Sequence, residues 1–252
     1  MDLQLTGKRV LVTGGTRGIG RAIVSAFLDE GAVVGFCARD SADVEATNDD
    51  LSSRGAVTGS VVDVGDGDAL TAWVERSAEA FGGLDIVVAN VSALAIPDTE
   101  ENWQASFNVD LMHTVRLVRA ALPYLEHSDA ASIIAISSVS GRESDFASGP
   151  YGTAKTAIVG YINGLALHLA VKNIRANTVS PGNTYFHGGV WHGIETGNPA
   201  LFETAVNLNP TGQMGTPEEV AAPVVFLASP VASRVSGTNL VVDGALTRGV
   251  QL

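Results

Sequence analysis

The chain of 252 residues holds a single cysteine, Cys37, so it can form no disulfide within itself. The apolar neighbours of that thiol mark it as a small buried hydrophobe rather than a nucleophile. Basic residues are also scarce: 15 lysines and arginines face 27 acidic residues, a net charge of −12. Nucleic acid and anionic membranes both need a cationic face, so neither is expected as a partner. No apolar run nears the roughly 20 residues that cross a bilayer. The opening MDLQLTGKRV has no basic stretch leading into an apolar one, so no secretory signal is expected and the expected compartment is the cytoplasm. The histidines at 113, 127, 168, 187 and 192 give no pair with metal-site spacing except His187 and His192, in a glycine-rich stretch, and no metal is expected.

What the chain does have is alternation. Short apolar runs at 9–14, 33–38, 56–64, 84–90, 131–138, 174–180 and 238–244 read as strands. Between them lie stretches of helical period: Ile19, Ile23 and Phe27; Phe107, Leu111, Val115, Val118 and Leu122; Ile158, Ile162, Leu165 and Leu169. Strands without polar alternation, each followed by a helix, imply a parallel sheet covered on both faces. The expected fold is therefore α/β and doubly wound, a single domain over 1–252. One segment breaks the rhythm. Residues 183–214 mix glycine, asparagine and aromatics ahead of the helix start TPEEV, and a stretch this long is expected to be a substrate loop or lid.

After the first strand comes TGGTRGIG, Thr13 to Gly20. Glycines at 14, 18 and 20 allow a tight turn and a close approach of backbone to a pyrophosphate, which the N-terminus of the next helix attracts. A glycine triplet alone is weak, but here it joins the first strand to the first helix. Further on, GPYGTAK sets Tyr151 and Lys155 four residues apart, on one face if that segment is helical. That pair is either ordinary helix surface or a device for making a phenol acidic. A cation about 5 Å away, at an effective dielectric near 20, contributes roughly 3 kcal/mol, enough to move a phenol by about two units. Such a group could give a proton to a carbonyl oxygen or take one from an alcohol near neutral pH.

These motifs together resemble the short-chain dehydrogenase/reductase family, in its NADP-preferring branch near the 3-oxoacyl-carrier-protein reductases, over nearly the whole chain. The resemblance implies a Rossmann-type three-layer sandwich with a seven-stranded parallel sheet. It implies a catalytic tetrad of Asn108, Ser138, Tyr151 and Lys155. In it Ser138 steadies the substrate oxygen, Lys155 also holds the cofactor ribose, and Asn108 anchors a water that relays protons through Lys155. Gly14, Thr16, Arg17, Gly18, Ile19 and Gly20 match the cofactor turn, Asp63 and Val64 the adenine contact, and Asn90 the end of the fourth strand. Pro181, Gly182 and Thr184 match the nicotinamide side. Two places depart from the pattern: ANVSA (89–93) stands where the family often has Asn-Ala-Gly. Phe186 stands where a threonine often meets the carboxamide, with Thr184 or Asn183 as the available substitutes.

The expected cofactor is NADP. Asp40 lies about 20 residues after the glycine turn, where an acid normally selects NAD. Yet the second strand should end at Ala38, the family position for that acid, which leaves room for a 2′-phosphate. Arg39 follows, and Arg17 lies beside the same pocket; a guanidinium can grip phosphate with two hydrogen bonds. Asp40 is then read as a helix cap or as the partner of Arg39. The expected activity moves a hydride between NADP(H) and a ketone or secondary alcohol. The alternatives are a 3-oxoacyl-carrier-protein reductase of fatty-acid synthesis and a dinucleotide sensor without turnover. Val91, Ser92, Val139, Phe146, Phe186, Val190, Trp191 and His192 are expected to line the substrate pocket, and a homotetramer is implied by the resemblance.

Overall fold

The computed structural model describes residues 1–249, so the last three residues of the expected domain lie outside it. Seven strands form one sheet: β1 (Arg9–Thr13), β2 (Val33–Ala38), β3 (Val57–Val61), β4 (Ile86–Ala89), β5 (Ser132–Ile136), β6 (Arg175–Pro181) and β7 (Asn239–Val242). Their order is β3-β2-β1-β4-β5-β6-β7 and every pairing is parallel. The order reverses between β1 and β4, which opens a cleft beyond their carboxyl ends, the place where open α/β sheets take ligands.

The missing polar alternation has a direct cause. Val10 and Val12 of β1 belong to one apolar cluster, together with Phe36 of β2 and Ile23 and Phe27 of α1 (Gly18–Asp29). Leu11, between them, belongs to the cluster on the other face with Val87, Leu117 and Ile158. Both faces are therefore core. Each fully buried large side chain, such as Phe27 or Phe36, adds roughly 1.5–3 kcal/mol over an exposed one. On the first face α1 packs along α9 (Pro217–Ala228). The second face carries α3 (Gly67–Phe81), α5 (His113–Leu125) and α6 (Pro150–Leu169).

The strand runs end sooner or later than the apolar pattern implies. The third stops at Val61 rather than 64, because Asp63 Oδ1 accepts from Gly65 N and turns the chain. The fifth stops at Ile136, and Ser138 caps a short 3-10 turn (Val139–Gly141) instead of ending the strand.

The stripe from Phe107 to Leu122 also breaks. Between α4 (Glu100–Ala105) and α5 lies a π-helical stretch, Ser106–Met112, closed by His113 N donating to Asn108 O. Five-residue steps rotate the register, so Phe107 is 58% exposed while Ser106 and Asp110 turn inward.

α6 needs one qualification. Extended to Lys172, it is long and apolar enough to cross a membrane by composition, although no single run suggests it. Its Ile158, Ile162 and Leu169 are buried in the sheet-side core.

Residues 183–214 contain two helices, α7 (Val190–Gly197) and α8 (Pro199–Leu208), before the capping box of Thr216 and Glu219 starts α9.

Candidate active site

The glycine turn sits at the carboxyl end of β1. Gly14 N and Gly15 N donate to Cys37 O at 2.8 and 3.1 Å, which docks the turn on β2. Asn90, just past β4, holds it from the other side: its Nδ2 donates to Thr13 O at 3.0 Å and Gly14 O at 3.3 Å. Gly20 must be glycine, because a Cβ there would stand 2.0 Å from Gly14 O.

The turn feeds α1, whose N-cap Arg17 makes no side-chain cap bond. By contrast Asp40, Asp66, Thr99 and Thr216 each accept from the first turn of their own helices. The open amides at the start of α1, with no acid in its first turn, suit an anion. A dinucleotide phosphate fits this end of the molecule.

β2 ends at Ala38, and Asp40 Oδ1 accepts from Asp43 N as the cap of α2 (Ser41–Ser52). Arg17 and Arg39 are exposed, and among the described residues neither is ion-paired. A cavity of about 610 Å³ runs beside the turn, lined by Thr16, Arg17, Arg21, Phe186 and His187 among others. It follows α1 and α9, and its lining holds none of Ser138, Tyr151 or Lys155.

Tyr151 and Lys155 share a face of α6, which starts on Pro150. Gly152 lets the helix press on the Ser138 turn: a Cβ there would lie 2.7 Å from Ser140 O. Ser138 is buried, and its Oγ accepts from Ser140 N at 3.1 Å. Lys155 Nζ lies 5.5 Å from the centre of the half-buried Tyr151 ring. It donates to Ile136 O at 3.1 Å and stands 3.2 Å from Asp110 Oδ1. The tyrosine and the lysine thus sit on a helix packed against the serine-bearing turn.

Asn108 does not join them through its side chain. Its Nδ2 donates to Gly65 O at 3.2 Å and its Oδ1 accepts from Arg116 Nη1 at 2.7 Å. It ties the loop that carries Asp63 and Val64 to the π-helical stretch. The side chain that does reach Lys155 is Asp110, two residues further on, which no sequence argument singled out. Its only signal was an acid inside an otherwise apolar stripe. Close by, the buried His113 links Val109 O (3.1 Å) to Thr13 Oγ1 (2.9 Å), and burial, then the Lys155 charge, push its pKa down to about 4.

The expected pocket residues divide. Val91 packs on the glycine turn, with its Cγ2 2.9 Å from where a Gly14 Cβ would be. Ser92 Oγ accepts from Leu94 N, and Leu94 itself adopts φ +50°. Phe146, ahead of α6, meets Trp191 of α7 edge-on at 6.1 Å, so α7 touches the segment leading to Tyr151. Phe186 lies on the glycine turn, where a Cβ on Gly18 would stand 2.5 Å from its ring. His192 faces His187, ring centres 4.2 Å apart, within residues 183–214. Thr184 Oγ1 donates to Gly182 O at 3.1 Å, and Thr184 bridges to Gly215.

A seven-stranded doubly wound sheet with this tyrosine–lysine helix and glycine turn defines a class of nucleotide-dependent oxidoreductases, and comparison with known proteins agrees. A family profile described as enoyl-(acyl carrier protein) reductase matches residues 14–247. The chain is 44% identical over 255 residues to isoepoxydon dehydrogenase of Penicillium expansum, covering 98% of this chain and 97% of that protein. The NADPH-bound short chain oxidoreductase of Pseudomonas aeruginosa PAO1, with its atypical catalytic center, superposes with TM-score 0.89 at 30% identity, over 96% and 98% of the two chains. L-sorbose reductase of Gluconobacter frateurii, complexed with NADPH and L-sorbose, gives 0.92 at 27% identity, over 99% and 100%. The chain belongs to the short-chain dehydrogenase/reductase family.

Proposed function

We propose that this protein is an NADP-dependent oxidoreductase that interconverts a ketone and a secondary alcohol, with Tyr151 as the general acid and base. The observation that carries the reading is the placement of the Tyr151 ring 5.5 Å from Lys155 Nζ, on a helix pressed against the Ser138 turn. Bound NADPH supplies the hydride. The protein supplies orientation, a proton and electrostatics. In the reducing direction Tyr151 gives its hydroxyl proton to the carbonyl oxygen as the hydride reaches the carbon. Lys155 stabilises the phenolate left behind. Ser138 hydrogen-bonds the same oxygen while its charge develops. Arg39 and Arg17, without an acidic partner among the described residues and next to a strand end occupied by Ala38, would hold the 2′-phosphate, and the NADPH-bound neighbours support that choice.

The test is NADPH oxidation over a panel of ketones, begun with L-sorbose and, in reverse, isoepoxydon, with a carrier-bound 3-oxoacyl thioester as the competing substrate. Tyr151→Phe should lower turnover about 10²–10⁴-fold, the usual contribution of a general acid, while NADPH still binds. Turnover by that variant near the wild-type rate would overturn the mechanism. Exposed Phe107, in the π-helical stretch, and Leu167 and Val171, at and just past the end of α6, support the homotetramer; light scattering that gives a monomer at micromolar concentration would refute it.

A further inference from the structure

Asp110 is fully buried and Lys155 is 2% exposed, so the two make a buried ion pair. The carboxylate is divided between two tasks. Oδ2 accepts from Ala93 N at 3.2 Å, in the ANVSA segment that departs from the family pattern. Oδ1 faces Lys155 Nζ at 3.2 Å, without hydrogen-bond alignment and with no other partner among the described residues. A lysine ammonium has three N–H donors. Here one goes to Ile136 O and a second side of the ammonium is taken by Asp110, so one donor is left for a hydroxyl outside the protein. The other charged or titratable groups around this ammonium are Tyr151 on its own helix and His113 on α5; burial and Lys155 itself keep that histidine neutral at pH 7. Asp110 is thus the only opposite charge against Lys155 among the described residues.

We propose that Asp110 is a positioning residue, which aims the Lys155 ammonium at the ribose next to the nicotinamide and couples that aim to the backbone at Ala93. The inference rests on the ribose role given to Lys155 in the proposed function. The π-helical stretch is what makes it possible: in a regular helix the five-residue step would be lost, and residue 110 would rotate away from α6.

The experiment compares two ligands by fluorescence titration: NADPH, which carries the nicotinamide ribose, and 2′,5′-ADP, which lacks it. Asp110→Asn should weaken NADPH at least fivefold and leave 2′,5′-ADP within twofold. In a Lys155→Ala background the same substitution should change NADPH affinity by less than twofold, because its effect runs through that lysine. If Asp110→Asn does not fold, Asp110→Glu keeps the charge but displaces Nζ, and it should show the same split between the two ligands. Equal weakening of both ligands, an unchanged NADPH affinity, or an effect that persists without Lys155 would each overturn the positioning role. A wild type that binds 2′,5′-ADP and NADPH equally well would sink the ribose role of Lys155, and this inference with it. A wild type that favours NADPH, beside an Asp110→Asn variant that favours it by the same factor, sinks this inference alone.

Discussion

Replacing His113 with glutamine, and titrating both proteins toward acid, tests the buried network between β1 and α5. His113 Nδ1 faces the Val109 carbonyl, which can only accept, so the neutral ring carries its proton on Nδ1. Nε2 then accepts from the Thr13 hydroxyl, which in turn accepts from Asn90 N. Protonating Nε2 reverses that bond and puts a cation beside Lys155 in a site closed to water. The folded-state pKa accordingly drops from 6.5 to about 4, through burial first and Lys155 second.

Between those two values the unfolded chain binds more protons than the folded protein, so stability falls as pH drops through 6.5 and the loss is complete below about 4. From pH 7 to pH 5 this single group removes about 2 kcal/mol, or roughly 4–8 °C of melting temperature in a chain of this size. Glutamine keeps an acceptor for Thr13 and does not titrate. Thermal melts at pH 7, 6 and 5 should show the wild type losing that margin relative to His113→Gln, with the exposed carboxylates cancelling in the comparison. Parallel stability curves for the two proteins would refute the buried, neutral assignment.

Other consequences can be measured directly. Arg39→Ala should raise KM for NADPH about 10–100-fold, the worth of one charge-assisted contact, and barely change that for NADH; equal use of both cofactors by the wild type would show that the 2′-phosphate site lies elsewhere. Gly20→Ala forces a methyl group onto Gly14 O and the Asn90 amide, and should destabilise by about 1–3 kcal/mol while weakening NADPH binding; a wild-type melting temperature would contradict the crowding.

The parts of this molecule that follow a simple period were legible in advance. Seven apolar runs became seven parallel strands because both faces of the sheet are core, and Tyr151 and Lys155 met because four residues make a helical turn. Asp40 was readable as a cap because a short acid after a strand end has few other uses. What escaped follows no period. A π-helical stretch steps by five, so the pattern through Phe107 pointed the wrong side chain inward and hid Asp110. Strand ends were overrun where a side chain such as Asp63 turns the backbone while the residues stay apolar. The contacts of Asn108 with Gly65 and Arg116 are tertiary, and no local spacing encodes them.

Cys37 lies buried near the carboxyl end of β2, its carbonyl pinned by Gly14 and Gly15 and its thiol pushed up to about 12 by burial. Such a group stays protonated and shielded in any buffer in which the protein is folded, so thiol-directed dyes will pass it by. The native chain is therefore already a silent background for labelling. A cysteine placed at exposed Gly193, in the middle of α7, would take one fluorophore there and nowhere else. Its emission, read against the intrinsic fluorescence of NADPH, would report the distance between α7 and the cofactor in solution, with no second substitution needed to clear the signal.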